Sequence, residues 1–201
     1  MQVPEPACIT CGLPLAIPGV CPTCNNSNPP YKAIRSWAVF EGPIRHALHT
    51  LKYYRNVALG DALAPYLVKY VQGLGWQADQ VVPVPSSSKR MKERGYNQVG
   101  LFAKPMAGIQ GWRYVPRALR RVRETRSQVG LSHTERKVNI FGAFQADPVL
   151  ASGKVILLVD DIVTSGATLT ACSEALVEAG AKSVFALTLA RALPYHGLQI
   201  V

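Results

Sequence analysis

One short segment constrains this chain more than any other: the apolar run at residues 155–159, with Asp160 and Asp161 directly after it. An unbroken run of this length, rich in β-branched residues, is typical of a strand buried on both faces at the centre of a parallel sheet. Helical spacing follows from Gly166 to about residue 179, and a second apolar run covers residues 184–189. This order predicts a right-handed βαβ unit, and hence an α/β fold with a mostly parallel central sheet.

Periodic segments elsewhere predict the remaining elements of the same domain. The predicted strands lie at residues 36–40, 81–84 and 140–144. The predicted helices lie at residues 43–53, 58–71 and 97–107. A polar, proline-rich stretch at residues 25–30 indicates a linker, which divides the chain into a module at residues 1–30 and an α/β domain at residues 31–201.

The composition favours an ordered protein. Hydrophobic residues make up 48% of the chain and charged residues 17%, which is enough apolar material for one core and disfavours disorder. The sequence has no apolar run of the roughly 18 residues that a membrane-spanning helix needs. The first residues lack the basic and apolar segments of a signal peptide, so we expect a cytoplasmic protein.

Four of the five cysteines fall into two C-x2-C pairs: Cys8, Cys11, Cys21 and Cys24. Each pair brings two thiolates to one side of a tetrahedral zinc ion, and the four together leave no open position for catalysis. Two disulfides are the alternative, which a reducing cytoplasm disfavours. We therefore predict a structural zinc site that supplies the folding energy of this small module.

The segment after the central strand has the chemistry of an anion site. Ligands of open α/β sheets bind at the carboxyl ends of strands, and a helix N-terminus favours anions through its free N–H groups and its dipole. Gly166 lets the backbone approach a phosphate, and the hydroxyls of Thr164, Ser165 and Thr168 add hydrogen bonds. The two aspartates, which repel a phosphate, suit the two hydroxyls of a ribose.

A plainer alternative is a helix capped by Thr164 or Ser165, with Asp160 and Asp161 as ordinary turn residues. That alternative leaves two adjacent acids at the end of a buried strand, which is costly unless a ligand uses them. The spacing matches neither G-x4-G-K-[ST] nor G-x-G-x-x-G, so a P-loop and a dinucleotide fold both fit poorly.

Residues 155–168, VILLVDDIVTSGAT, resemble the motif by which type I phosphoribosyltransferases bind phosphoribosyl pyrophosphate (PRPP). Together with the cysteine pairs, five further motifs are similar to the ComF/GntX family, competence-type proteins linked to DNA uptake, over nearly the whole chain. They are HTLKY at 49–53, VPVP at 82–85, RGYNQ at 94–98, TRSQ at 125–128 and RKVN at 136–139. The resemblance implies a type I phosphoribosyltransferase-like fold with a small N-terminal zinc module.

The resemblance also implies roles for individual residues. Asp160 and Asp161 bind the ribose hydroxyls in this picture, and the 5′-phosphate lies against Thr164, Ser165, Gly166, Ala167 and Thr168. The loop at residues 83–86 resembles the one that holds pyrophosphate, and the residues assigned to that loop with its neighbouring cations are Val84, Pro85, Ser86, Lys89, Arg90 and Arg94. Magnesium is expected with PRPP, and residues 120–135 are expected to form a mobile loop that closes over the site. Thr164 stands where hypoxanthine-type transferases carry a base-binding acid, so purine salvage is not implied.

Positive charge is concentrated in the middle of the chain. The net charge is +10, and residues 31–152 hold 19 basic and 7 acidic side chains. Such concentration indicates an anionic partner, either a phosphate-rich small molecule or nucleic acid. The alternative is a generally basic surface with no particular partner. The candidate nucleic-acid contacts are Arg117, Arg120, Arg121, Arg123 and Arg126.

Two functions follow from the sequence. The first is an enzyme that transfers phosphoribose from magnesium-bound PRPP to a nitrogen nucleophile, or runs the reverse reaction, with an acceptor that the sequence does not identify. The second is a non-catalytic protein that holds single-stranded DNA and keeps the PRPP site as a sensor or scaffold. Both place PRPP or a nucleotide in the loop, and both leave room for protein partners in a competence machinery.

Overall fold

A five-stranded parallel sheet forms the centre of the molecule in the computed structural model, which describes residues 2–123, 140 and 142–193. Its strands are Ala33–Val39 (β1), Gln80–Pro83 (β2), Arg113–Tyr114 (β3), Val155–Val163 (β6) and Ser183–Arg191 (β7). They stand in the order β1-β7-β6-β2-β3, and each neighbouring pair is parallel. The sheet confirms the predicted α/β fold, with the apolar run of β6 in its middle.

The helices cover the two faces of this sheet. The longer ones are Gly42–Tyr53 (α2), Val57–Gly73 (α3), Gln98–Gln110 (α5) and Ala167–Glu178 (α7). The shorter ones are Pro22–Ser27 (α1), Ser88–Arg94 (α4) and Pro148–Ala151 (α6), with a 3-10 turn at Pro116–Ala118. A separate antiparallel ribbon pairs Leu119–Arg121 (β4) with Phe144–Ala146 (β5).

Alternation along β6 creates a core on each face of the sheet. Ile156 and Leu158 belong to the core under α7 and the β4–β5 ribbon. Leu157 and Val159 belong to the core under α2, α3 and α5. A strand with both faces covered in this way reads as a continuous apolar run, which explains why the sequence marked β6 so clearly.

The structure places most elements near their predicted positions, with two differences. The central strand was predicted to end at residue 159, but β6 continues to Val163 because its pairing with β7 extends to Val163 opposite Arg191. The strand predicted at residues 140–144 is displaced, since β5 begins at Phe144 and Gly142 forms a turn with φ 64°.

The cysteine module packs against the outer edge of β1. The Ile34 N–H donates to the Thr10 carbonyl at 2.7 Å, and the Arg35 guanidinium donates to the Ile9 carbonyl at 2.9 Å. A Cβ on Gly12 would stand 2.7 Å from the Ile34 carbonyl oxygen, so the module approaches the strand too closely for any side chain at this position. The module therefore provides a hydrogen-bond partner to the edge of β1, which would otherwise be open to water or to another chain.

A buried arginine at the end of β7 also joins the module to the sheet. Arg191, at the end of β7, is only 3% exposed, and its guanidinium donates to the Cys11 carbonyl. Burial lowers the pKa of this arginine. Separately, in the described part of the chain, no helix combines the length and the apolar character that crossing a membrane requires.

Candidate functional site

The acid pair lies at the carboxyl end of β6, where the two adjacent carboxylates are close enough to interact. Asp161 reaches Lys52 of α2 and Gln98 of α5. Asp161 is 8% exposed, whereas Asp160 is half-buried. The two acids therefore have different surroundings although they are adjacent in sequence.

Asp161 is held by a complete set of partners. Its Oδ2 lies 3.0 Å from the Lys52 ammonium and accepts a hydrogen bond from the Gln98 amide at 3.0 Å. Its Oδ1 accepts the Ile162 N–H at 2.7 Å. Burial works to raise the pKa of Asp161, but Lys52 and Gln98 outweigh it, so the pKa is lowered. Asp161 is thus an ionised and fixed carboxylate.

Asp160 has the opposite electrostatic character. Burial raises its pKa well above the usual range, and the neighbouring charge of Asp161 raises it further. Its Oδ1 accepts the Asp161 N–H at 2.8 Å. A carboxylate that folding penalises in this way gains from any ligand that brings hydroxyl donors or a cation to it.

The predicted phosphate loop, residues 164–168, turns over Gly166 into the start of α7. Gly166 has φ 81° and ψ −4°, the left-handed conformation that favours glycine, and it is the residue that caps the helix. Its carbonyl accepts a hydrogen bond from the Thr170 hydroxyl at 3.1 Å. Gly166 itself brings no side-chain acceptor to the first turn of α7, and the Ala167 N–H makes only a long hydrogen bond, 3.5 Å, to the Ser165 hydroxyl. This helix start is therefore suited to an anion.

The loop after β2 is tied to the same edge of the sheet by one asparagine. The Asn97 amide donates to the Val84 carbonyl at 2.9 Å, and its oxygen accepts the Ser86 hydroxyl at 3.1 Å and the Val99 N–H at 3.1 Å. Asn97 therefore caps α5 and fixes the shape of the predicted pyrophosphate loop, including Pro85, in a single arrangement.

The three predicted cations of this region differ in how they relate to the acids. Arg94 donates to the Gln98 side chain at 3.0 Å, and Gln98 in turn donates to Asp161, so a chain of hydrogen bonds connects Arg94 to the acid pair. Lys89 and Arg90 are exposed on α4, and Lys89 lies 3.9 Å from Glu93. Of these three predicted cations, Arg94 is the one that hydrogen bonds connect to the acid pair.

The four predicted zinc ligands converge. The sulfur atoms of Cys8, Cys11, Cys21 and Cys24 all lie within 4.8 Å of one another, and those of Cys11 and Cys21 are 3.7 Å apart. A tetrahedral zinc ion with bonds of about 2.3 Å separates its sulfur ligands by about 3.8 Å, so this donor set fits zinc.

Backbone N–H groups support the same conclusion at Cys8. Its sulfur accepts the Cys21 N–H at 3.3 Å and the Cys11 N–H at 3.5 Å. Burial works to raise the pKa of Cys8, but these donors outweigh it and lower the pKa to about 6. Cys8 is thereby arranged as a thiolate, the form that binds metal, whereas burial raises the pKa of Cys11 to about 11.

Comparison with known proteins adds to this geometry. The model of the phosphoribosyl transferase domain matches residues 49–195. The DNA utilization protein YhgH of Salmonella typhimurium is 35% identical over 193 residues, covering 92% of this chain and 84% of the relative. The chain belongs to the phosphoribosyl transferase domain family. Its place in the ComF branch is supported by Competence protein F of Haemophilus influenzae, which is 33% identical over 123 residues, 57% of this chain and 51% of that protein.

Among solved structures, the glutamine PRPP amidotransferase of B. subtilis, complexed with ADP and GMP, is similar to this phosphoribosyl transferase domain. The identity is 25% and the TM-score 0.43, and the match covers 71% of this chain and 26% of the amidotransferase.

The predicted nucleic-acid residues gather around the β4–β5 ribbon. Arg117, Arg120 and Arg123 are exposed, and Arg121 lies with its guanidinium carbon 5.5 Å from the centre of the Phe144 ring. Arg120 also donates to the Gln145 side chain at 2.7 Å. The fifth candidate, Arg126, falls outside the described residues, as does most of the predicted mobile loop at 120–135.

Sequence reasoning missed three residues of the site: Lys52, Asn97 and Gln98. All three stand in motifs that carried the family resemblance, HTLKY and RGYNQ. The motifs were therefore visible in the sequence, but their partners were not, because only the fold shows that α2 ends and α5 begins beside the end of β6. Their contacts with the acid pair and the pyrophosphate loop explain what these motifs do in this chain.

Proposed function

We propose that the carboxyl edge of the sheet binds the ribose-5-phosphate part of PRPP or of a nucleotide. The observation that carries this proposal is the pairing of a penalised carboxylate, Asp160, with a glycine-capped helix start at Gly166 on the same strand–helix connection. The carboxylate matches the hydroxyls of a ribose, and the helix start matches a phosphate.

Each part of the edge has a role in this proposal. Thr164, Ser165 and Thr168 add hydroxyl donors around the 5′-phosphate, and Ala167 and Gly166 contribute backbone. Val84, Pro85 and Ser86 lie where pyrophosphate binds, with Lys89, Arg90 and Arg94 as the nearby cations. Asp161 positions Lys52 and Gln98 and completes the electrostatic balance of the acid pair.

Turnover at this site would be the transfer of phosphoribose from PRPP. Transfer of phosphoribose needs positive charge where pyrophosphate departs, and it needs no covalent nucleophile from the protein. Magnesium prefers oxygen ligands, which both the acids and the pyrophosphate provide, and when bound it neutralises the leaving group. We propose a pentosyl transfer of this kind, with a nitrogen nucleophile as acceptor.

The biological setting is proposed from the relatives, whose names are DNA utilization protein and competence protein. We propose that this protein acts in the uptake or use of DNA. The four thiols of the zinc module also favour a reducing, cytoplasmic setting, since oxidation to disulfides would remove the zinc ligands.

A second candidate function is the binding of single-stranded DNA without turnover. The exposed arginines around the ribbon, Arg117, Arg120 and Arg123, favour it because guanidinium groups bind phosphates without regard to sequence. Protein partners of a competence machinery would fit either candidate.

Calorimetric titration with PRPP, with and without Mg²⁺, tests the first candidate. We expect binding that strengthens with Mg²⁺ and that falls at least about tenfold, or 1.4 kcal/mol, in the Asp160→Asn variant. Asp61→Asn, an exposed aspartate on α3, is the matched control and should bind as the parent does. Equal PRPP affinity in the Asp160 and Asp61 variants would sink the site assignment.

A salt titration of single-stranded DNA binding tests the second candidate. Each phosphate contact made by an arginine contributes about 0.7 to the salt slope for a single strand. The slope should therefore fall by about that amount in the Arg120→Gln variant. If the variant binds DNA with an unchanged salt slope, the DNA does not bind at the β4–β5 ribbon.

A further inference from the structure

Tyr31, the first residue after the linker, lies between the cysteine module and α7. It is buried and belongs to the core cluster that contains Leu169 and Cys172 of α7. It also lines a cavity of about 430 Å³ together with Thr10 and Cys24 of the module. One side chain therefore adjoins both the predicted zinc site and the helix that begins at the phosphate loop.

The Tyr31 hydroxyl is connected to the phosphate loop through one threonine. The side chain of Tyr31 hydrogen-bonds to that of Thr170, near the start of α7. The Thr170 hydroxyl donates to the Gly166 carbonyl at 3.1 Å, and the Thr170 N–H donates to the same carbonyl at 2.9 Å. That carbonyl and the Ala167 N–H belong to one planar peptide group, so the contact that holds the carbonyl also fixes the direction of the N–H.

A second connection from the module to the loop passes through Ile34. Its N–H donates to the Thr10 carbonyl at 2.7 Å, and its carbonyl oxygen faces Gly12 at a distance that admits no side chain there. On the other side of the same residue, the Ile34 side chain lies 3.9 Å from the position that a Cβ on Gly166 would take. A displacement of the module is therefore transmitted to the loop by the backbone and side chain of one residue.

Charge links the module to the strand end that precedes the loop. The buried guanidinium of Arg191 donates to the Cys11 carbonyl, and its Nε has no hydrogen-bond partner among the described residues. No carboxylate in the described part of the chain forms an ion pair with it. A zinc ion with four thiolate ligands is an anionic group overall, so it suits this buried cation. Arg191 pairs in register with Val163, directly before the loop.

We propose that Tyr31 is a positioning residue for the phosphate loop, and that through it the zinc-loaded module strengthens the binding of a ribose phosphate. The inference rests on the proposed function, because it concerns the loop that holds the phosphate. Tyr31 itself touches no ligand: it holds Thr170, which holds the peptide group between Gly166 and Ala167. Because such coupling is reciprocal, a ribose phosphate strengthens the binding of zinc by the same factor.

Calorimetry with ribose 5-phosphate on the full, zinc-loaded chain tests the positioning role. Tyr31→Phe keeps the buried ring and removes its hydroxyl, and Thr170→Val removes the hydroxyl that it meets. We expect each variant to keep its zinc and to lose about 2- to 10-fold in affinity for ribose 5-phosphate, the range for one hydrogen bond. Thr170→Ser, which restores a hydroxyl, should bind as the parent does. Tyr114→Phe removes a half-buried hydroxyl on β3, at the opposite edge of the sheet, and is the matched control.

A competition for zinc measures the coupling itself. A chromophoric chelator is titrated into the chain with and without saturating ribose 5-phosphate. In the parent and in Tyr114→Phe, we expect the ligand to tighten zinc binding by at least about fivefold. In Tyr31→Phe this factor should be smaller, whereas a ligand that only stabilised the whole fold would give all three chains the same factor.

The outcomes separate this inference from the function on which it rests. Parent-like affinity for ribose 5-phosphate in both Tyr31→Phe and Thr170→Val overturns the positioning role and leaves the loop assignment intact. Zinc binding that ribose 5-phosphate does not change in the parent overturns the coupling. If Tyr31→Phe loses its zinc, Thr170→Val decides, and parent-like affinity in that variant overturns the inference. A parent chain that does not bind ribose 5-phosphate overturns the proposed function and the inference with it.

Discussion

Asp160 and Asp161 show how two identical neighbours acquire opposite properties. Asp161 contacts a lysine and a glutamine, whereas the half-buried Asp160 accepts the N–H of Asp161 and meets its negative charge. Asp161 therefore stabilises the fold as an ion, whereas Asp160 is a carboxylate that the fold alone does not favour. Residues kept at the expense of stability are expected where a ligand needs them.

Thermal unfolding across pH tests this difference. The folded pKa of Asp160 is raised, so its contribution to stability is full below about pH 3.9 and is lost as pH rises through the folded pKa. We therefore expect Asp160→Asn to raise the melting temperature at pH 7 and to change it little near pH 3. A lower melting temperature at pH 7 would contradict the assignment.

Asp161→Asn is the natural counterpart, since the pKa of Asp161 is lowered. Its contribution is present above about pH 3.9 and is lost as pH falls through the folded pKa. This variant should be destabilised at pH 7 by about 1–3 kcal/mol, because Lys52 loses its partner, and the deficit should shrink in acid.

At the scale of elements, the connection between β6 and α7 depends on Gly166. A Cβ there would stand 3.9 Å from the Ile34 side chain, an ordinary contact, so the cost of a side chain comes from the φ of 81°. Gly153, with φ 70° and open space around it, precedes the amino end of β6, whereas Gly166 follows its carboxyl end. Both glycines have a left-handed backbone, but only Gly166 lies at the candidate site. Comparing variants at the two positions therefore distinguishes the cost of backbone strain from an effect on ligand binding.

We expect Gly166→Ala and Gly153→Ala each to lower the free energy of unfolding by about 1–2 kcal/mol. Only the Gly166 variant should also weaken the binding of PRPP, because relaxation of its strain turns the N–H groups of the loop. Denaturant unfolding and calorimetry measure the two effects. Equal PRPP binding by both variants would show that the loop conformation is not what binds the phosphate.

The sequence predicted elements well wherever pattern and chemistry agreed. The apolar run of β6 and the helical spacing of α7 are visible in the sequence because burial on both faces, or on one stripe, dictates them. The displaced β5 and the two-residue β3 were not predictable in this way, because such short strands depend on partners distant in sequence. The acid pair was found for its chemistry, whereas Lys52 and Gln98 acquired meaning only from contacts across the fold.

At the scale of the whole molecule, the cysteine module is tied to the edge of the sheet by hydrogen bonds. Thr10 binds the edge of β1, and the buried Arg191 at the end of β7 binds the Cys11 carbonyl. Loss of the metal is therefore expected to disturb the edge of the sheet as well as the module itself.

We predict about one zinc ion per chain, released by a strong chelator with a fall in melting temperature. Cys21→Ser should lose the ion, whereas Cys172→Ala, a buried thiol of α7 outside the cluster, should keep it. Elemental analysis and thermal unfolding measure these effects. A purified chain without zinc, with four titratable thiols or two disulfides, would rule the site out.

The pairing of β1 with β7 also determines when the sheet can be completed during folding. Ser36 and Thr188, whose hydroxyls lie 2.7 Å apart, are separated by 152 positions along the chain. During synthesis the cysteine module and β1 leave the ribosome first and wait for almost the entire remainder of the chain before β7 arrives. Such late, non-local closure slows folding and prolongs the exposure of a bare strand edge. A chain that ends before residue 183 therefore leaves β1 without a strand partner, since β7 is the strand that connects β1 to the rest of the sheet.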